Sequence, residues 1–176
     1  MASSSVASWR YGWPSLLADI VLAGLVSGPI AAPLLAAAPL PILPQIADII
    51  YTMGQHVCPQ PELGPMLWSP YIMAVCTRCY GTVLGLVLMR WLYAQDRGRS
   101  RYWLEQYGLW GFVIAFAICL FYPLELALQN FSAWEVNNGV MALFGLIAGL
   151  GLGAYIMPML YPGVVRLGPL AQKPGR

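Results

Sequence analysis

Four stretches of this chain, residues 15–35, 70–93, 106–122 and 139–160, stay apolar long enough to cross a hydrocarbon layer of about 30 Å at about 1.5 Å per helical residue. Inside a bilayer the backbone N–H and C=O groups find no water, so such stretches must close their own hydrogen bonds as helices. The expectation is an all-α integral membrane bundle of four transmembrane helices, forming a single membrane domain over residues 1–176. Composition points the same way. With 59% hydrophobic and 9% charged residues in 176, the chain lacks the polar surface that a water-soluble domain of this size needs.

The basic residues orient the bundle. Arg10 precedes the first span, Arg90, Arg97, Arg99 and Arg101 surround the connection between the second and third, and Arg166, Lys173 and Arg176 follow the fourth. Four spans place all of these on one side, which the positive-inside rule makes cytoplasmic, so both termini are expected inside (N-in and C-in). Aromatic residues fit that layout: Trp9, Trp13, Trp91, Trp103, Trp110 and Tyr161 near the inner boundary, Trp68, Tyr71, Tyr122 and Trp134 near the outer one. The first span is too long for a cleaved secretory signal, although small residues follow it at 36–38. A net charge of +2, with the basic residues already accounted for by the membrane, gives no reason to expect nucleic acid as a partner.

The longest outer segment, residues 36–69, holds Pro39, Pro41, Pro44, Pro59, Pro61 and Pro65, which oppose long helices. Within it Ile42, Ile46, Ile49, Ile50 and Met53 recur at helical spacing opposite Gln45, Asp48 and Thr52, as in a short interfacial helix. Ser69 can cap the second span and Pro70 suits its first position. The third span is expected to kink or end near Pro123, with residues 124–131 as an extra turn or a loop. Glycines four apart (Gly24 and Gly28, Gly81 and Gly85, then Gly145, Gly149 and Gly153) allow close approach of helix backbones, within the bundle rather than between copies.

The most informative chemistry lies in the single histidine and the four cysteines. His56 and Cys58 form a His-x-Cys pair, and Cys76 and Cys79 a Cys-x-x-Cys pair. On an extended segment the first two face one way, and on a helix the second two share a face. Together they offer three thiolates and one imidazole, the ligand count of a closed zinc site, and an iron-sulfur cluster uses the same ligand types. Cys119 is about level with Cys76, since both lie about 22 to 24 Å from the inner boundary tryptophans at about 1.5 Å per residue. It is either a fourth thiolate in place of His56 or a small buried residue without a role.

Arg78 stands between the paired cysteines, where a charge in a membrane helix costs about 2.5 to 3.5 kcal/mol. It is a candidate to bind the metal-thiolate group through hydrogen bonds, or to pair with a carboxylate among Asp48, Glu62, Glu125 and Glu135, or to snorkel to the surface. Asp19 in the first span is expected to cap against a neighbouring helix or reach water. The alternative reading makes the same cysteines redox-active: a membrane thiol-disulfide oxidoreductase using the Cys-x-x-Cys pair, whose layout would suit quinone-coupled disulfide formation. A second matched cysteine pair to relay electrons is not found in the sequence. Phosphate-binding glycine loops and His-Glu-x-x-His are likewise missing from it.

The run Cys76-Thr77-Arg78-Cys79-Tyr80-Gly81 resembles the Cys-x-Arg-Cys-x-Gly signature of an uncharacterised family of small bacterial membrane proteins, domain of unknown function 2085, over residues 50–88. In that family an upstream Cys-His-Gln followed by proline and glutamate precedes the signature, and Cys58-Pro59-Gln60-Pro61-Glu62 occupies the corresponding place here. Pro59 stands at the family's histidine, and His56 would restore a Cys/His set from two residues before Cys58. The arrangement around His56 is similar to members from oxygenic photosynthetic bacteria, which implies a plasma or thylakoid membrane. The resemblance marks Cys58, Cys76, Arg78, Cys79 and Gly81 without implying an activity. The sequence thus leads to a small accessory or assembly subunit of a larger photosynthetic or respiratory membrane complex. It would carry a zinc or iron-sulfur site on the outer side and contact the lipid bilayer and other membrane subunits.

Overall fold

The computed structural model describes residues 13–96, 100–131 and 137–161, and is mostly helical, 79%. Trp9, Arg10, Arg97, Arg99, Trp134, Glu135, Arg166, Lys173 and Arg176 lie outside the described residues. Six helices follow in order: α1 (Trp13–Ala36), α2 (Ile42–Val57), α3 (Thr77–Asp96), α4 (Leu109–Cys119), α5 (Phe121–Phe131) and α6 (Asn138–Leu160). A two-stranded antiparallel hairpin, β1 (Met66–Trp68) and β2 (Tyr71–Ile72), lies between α2 and α3. Among the described residues three helical stretches are long and apolar enough to cross a membrane: Trp13–Ala36, Leu109–Phe131 and Asn138–Leu160. α3, which carries Arg78, Arg90 and Asp96, is not among them.

The centre of the fold is the α3–α6 pair. Its backbones touch because glycines face one another: a Cβ at Gly81 would meet Ala142 O at 2.3 Å, and one at Gly145 would meet Arg78 O at 2.0 Å. With no side chain between them, the two helices gain dispersion contact along their whole length, which is the attraction available where lipid removes the hydrophobic drive. The expected internal use of the glycine series is therefore seen for these two helices. Gly24 on α1 has open space beside it instead. α6 begins cleanly because the Asn137 side chain accepts from the N–H groups of Gly139 and Val140 at 2.9 and 3.4 Å.

α1 and α4 lean on this pair and turn large apolar side chains outward. Leu17, Ile20 and Val21 on α1, and Leu109, Trp110 and Phe116 on α4, are all exposed, the surface that a lipid environment calls for. Proline places the segment that leads into α3. Pro33 has no N–H for the carbonyl of Pro29 four residues back, and the N–H of Ala74 donates to that freed carbonyl at 3.4 Å. Gly54 of α2 completes the seat, since a Cβ there would stand 2.3 Å from Ala74 O. Residues 73–76 are thus held by α1 and α2 together.

Two boundaries differ from the sequence expectation. The helix expected from Pro70 starts at Thr77, and Ser69 and Pro70 form the turn between β1 and β2. Tertiary contacts override the local cap signal: Met73 N–H donates to Pro65 O at 2.9 Å and Ala74 N–H to α1, which keeps the segment extended. The third hydrophobic stretch starts at Leu109 and runs past Pro123 to Phe131. Pro123 falls in the first turn of α5, where a missing N–H costs nothing, and Leu124 N–H reaches Leu120 O at 3.0 Å across the α4–α5 junction. The short helix expected in this segment is present as α2 and is longer than its repeating isoleucines suggested, reaching Val57.

Candidate metal centre

Cys58 stands just after α2, Cys76 just before α3, and Cys79 in the first turn of α3. The fold of residues 58–76 brings them together. Cys58 Sγ lies 3.3 Å from Cys76 Sγ and 3.4 Å from Cys79 Sγ, and Cys76 and Cys79 are 3.6 Å apart. Cys58 and Cys76 are buried and Cys79 is half-buried. One tetrahedral ion with metal–sulfur bonds of about 2.3 Å sets its sulfurs about 3.8 Å apart, so the three thiols surround a volume matched to a single ion after a small outward shift.

Backbone geometry prepares the Cys58 sulfur for negative charge. The N–H of Cys76 donates to Cys58 Sγ at 3.3 Å, and the backbone of Gln60 also donates to it. Hydrogen bonds with the Cys76 and Cys79 thiols hold the Cys58 thiol well below its ordinary pKa, against the opposing effect of burial. Cys76 directly precedes the first turn of α3, and its hydrogen bond with Cys58 pushes its own thiol pKa up. The Tyr122 hydroxyl, from the first turn of α5, lies 3.1 Å from Cys79 Sγ.

Beside the sulfurs is a sealed polar cluster. Arg78 is 0% exposed and Glu125 2%, and the guanidinium Nε pairs with the Glu125 carboxylate. Arg78 Nη2 donates to Gln129 Oε1 at 2.9 Å and Nη1 to Gln60 Oε1 at 3.4 Å, while the Gln129 amide donates to Glu125. The guanidinium carbon also sits 5.6 Å from the centre of the Tyr122 ring. Of the carboxylates open to Arg78 in the sequence, the fold selects Glu125, and Arg78 is enclosed rather than snorkelling. Gln60 is two residues from Cys58, so one short loop supplies both a sulfur and a support for the ion pair.

His56 is not part of the cluster: among the described residues the group within ligand distance is Cys58, Cys76 and Cys79. α2 stays helical through Val57, so His56 and Cys58 do not alternate on an extended strand. His56 is exposed, with Nδ1 2.7 Å from Thr52 O one turn back. Cys119 faces α6, with Sγ 3.7 Å from Ala148 O, and is also outside the group. Asp19 pairs with Arg90 of α3 at 2.8 Å. Sequence reasoning missed Gln60, Gln129 and the contact of Tyr122. A signal for Gln129 existed in its position four residues after Glu125, but it becomes visible only once residues 121–131 are known to be helical.

Comparison with known proteins agrees with a membrane assignment. Residues 66–155, just over half of the chain, match the family described as predicted membrane protein (DUF2085). The matched stretch contains Cys76, Arg78, Cys79, Tyr122, Glu125 and Gln129, and begins after Cys58 and Gln60. No match was found among curated proteins or among solved structures. A helical chain with three membrane-length apolar helices and this match belongs to the DUF2085 family of membrane proteins.

Proposed function

We propose that this protein is a small accessory or assembly subunit of a larger membrane complex. On this reading Cys58, Cys76 and Cys79 bind one thiophilic metal ion that fastens the loop after α2 to the start of α3. The observation that carries the reading is the mutual approach of the three sulfurs, 3.3 to 3.6 Å, which suits ligands sharing one ion. Each cysteine of a four-iron cluster binds its own iron and stands farther from the others, so the spacing favours a single ion over iron-sulfur. Three thiolates select soft or borderline ions, zinc or copper(I). A metal tie suits residues 58–76, which contain little regular structure to order them otherwise.

The same reading takes the protein as one membrane domain with four spans, both termini inside and the metal on the outer side of a bacterial plasma or thylakoid membrane. Support for α3 as the fourth span comes from its charges. Arg78 is paired with Glu125 and Arg90 with Asp19, so neither cation meets lipid alone, and twenty residues reach about 30 Å. On this reading Arg90 and Arg101, among the basic residues that orient the bundle, belong to the inner end. A fusion reporter active only in the cytoplasm, placed after residue 176, would glow if the C-terminus is inside and stay dark if α3 does not span.

Elemental analysis of detergent-purified protein beside a Cys76→Ser, Cys79→Ser double variant tests the metal. About one ion per chain is expected in the parent and none in the variant, and parent protein free of metal after chelator-free preparation would end the reading. The same closeness of three thiols suits one competitor, a thiol-disulfide oxidoreductase in which these cysteines exchange disulfides. The two part on Cys58 alkylation: a ligand becomes reactive when a chelator is added, whereas a redox thiol responds to dithiothreitol or oxidant and ignores the chelator.

A further inference from the structure

Two more sulfur-bearing side chains lie in the buried cluster that contains Cys58 and Cys76, with Cys79 packed against it. Met73 is 3% exposed and Met141 0%, and both pack in one buried cluster with Cys58, Val75 and Cys76. They arrive from different elements, Met73 from the extended segment pinned to α1 and Met141 from the first turn of α6. Among the described residues no histidine or carboxylate joins the sulfurs within ligand distance. The nearby carboxylate, Glu125, is engaged by Arg78 and Gln129. His56 is turned to Thr52 on the exposed side of α2.

Donor type decides which ion such a site prefers. Structural zinc takes four ligands, and among the described residues no histidine, carboxylate or fourth cysteine stands beside the three sulfurs, although the Tyr122 hydroxyl approaches Cys79 Sγ at 3.1 Å. Thiolate and thioether sulfur together select monovalent copper, a soft ion content with three sulfurs. We propose that this is a Cu(I) site, in which Cys58, Cys76 and Cys79 hold the ion and the Met73 and Met141 thioethers are its outer sulfur donors. Backbone N–H donation to Cys58 and the N-terminal end of α3 oppose the negative charge of the complex. The assignment rests on the single-ion reading above and names its ion.

The test uses full-length protein in detergent, stripped of metal and kept anaerobic under reductant. It is titrated with Cu(I) buffered by bicinchoninate, and separately with Co(II) as the optical stand-in for Zn(II), beside a Met73→Leu, Met141→Leu double variant. Leucine keeps the volume of methionine closely enough to preserve packing. The expected result is one Cu(I) per chain, bound at least about tenfold more weakly by the double variant, with Co(II) affinity unchanged. Should the variant fail to fold, the parent grown with selenomethionine answers the same question. Its copper X-ray absorption spectrum is expected to contain a copper–selenium contribution. Cu(I) binding indifferent to the methionines, or a spectrum without that contribution, removes Met73 and Met141 from the site, and a parent that takes up Co(II) but not Cu(I) overturns the copper assignment and leaves the single-ion reading standing. A parent that binds neither ion overturns both.

Discussion

Two ion pairs fasten α3 to its neighbours, twelve residues apart and so separated by about 18 Å along the helix, and they are built differently. At the cysteine end Arg78 and Glu125 are almost completely enclosed, at 0% and 2% exposure, and amide groups of Gln60 and Gln129 meet the hydrogen-bonding positions that water would otherwise take. At the other end Arg90 and Asp19 keep 15% and 32% of their side-chain surface. There the guanidinium makes two bonds to one carboxylate, at 2.8 and 3.0 Å, and lies 4.0 Å from the centre of the Tyr161 ring, whose hydroxyl also donates to Asp19. The comparison teaches that the same pair of charges serves two purposes. A sealed pair must be satisfied group by group and so fixes its surroundings, here the loop carrying Cys58. A partly exposed pair mainly joins two helices, α1 to α3, and tolerates error.

That contrast can be broken by substitution. Glu125→Leu leaves Arg78 buried without its counter-charge and is expected to cost about 3 to 5 kcal/mol, read as a large fall in thermal midpoint of the detergent-solubilised protein. Adding Arg78→Met should restore most of that loss, because the penalty belongs to the uncompensated charge; a double variant no more stable than the single one would show that the amide network depends on the pair itself. Asp19→Asn keeps the shape of the second pair and exposes Arg90 to available water, so a smaller cost of about 1 to 2 kcal/mol is expected. A loss equal to that of Glu125→Leu would abolish the distinction between the two ends. Smallest is Tyr161→Phe, which keeps the ring over Arg90 and deletes one hydroxyl donor to Asp19. About 1 kcal/mol is expected, and a null result would mean that the ring alone accounts for the contact.

The surroundings of the two pairs follow the same division. Around Arg90 the support is aromatic: Tyr93 donates to Tyr161 O at 2.9 Å and meets the Trp103 ring edge-on at 4.9 Å, while the Trp103 indole N–H donates to Asp96 at 3.1 Å. Met89, Ala154 and Met157 fill the space between. These are large apolar bodies with one polar handle each, suited to a boundary between lipid and water. Around Arg78 the support is the amides of Gln60 and Gln129, groups that must find partners when enclosed, with the Tyr122 ring beside them. One end of α3 reads as an anchor and the other as a site.

Much of this was legible in the residues. The first and last hydrophobic stretches coincide with α1 and α6 to within two residues, because long apolar runs have no competing use. Cys58, Cys76 and Cys79 stood out by spacing, and Glu125 was among the carboxylates offered to Arg78. The start of α3 was misplaced because Ser69 and Pro70 carry a good local cap signal, which the hydrogen bonds of Met73 to Pro65 and Ala74 to Pro29 override. His56 was grouped with the cysteines on the assumption of an extended segment, and α2 running to Val57 turns it away.

By itself the sequence determined the solvent for which this protein is built, since length and uninterrupted apolarity are properties of a segment alone. It also determined which residues have metal chemistry to offer. Only the tertiary structure decided which of them meet. Whether Cys58 reaches Cys76 depends on Pro33 leaving a carbonyl for Ala74, on Gly54 admitting that segment and on glycines letting α3 touch α6, contacts made between residues far apart in the chain. Which carboxylate neutralises Arg78 likewise depended on α5 continuing past Pro123, because a buried charge takes the partner that the packing brings to it.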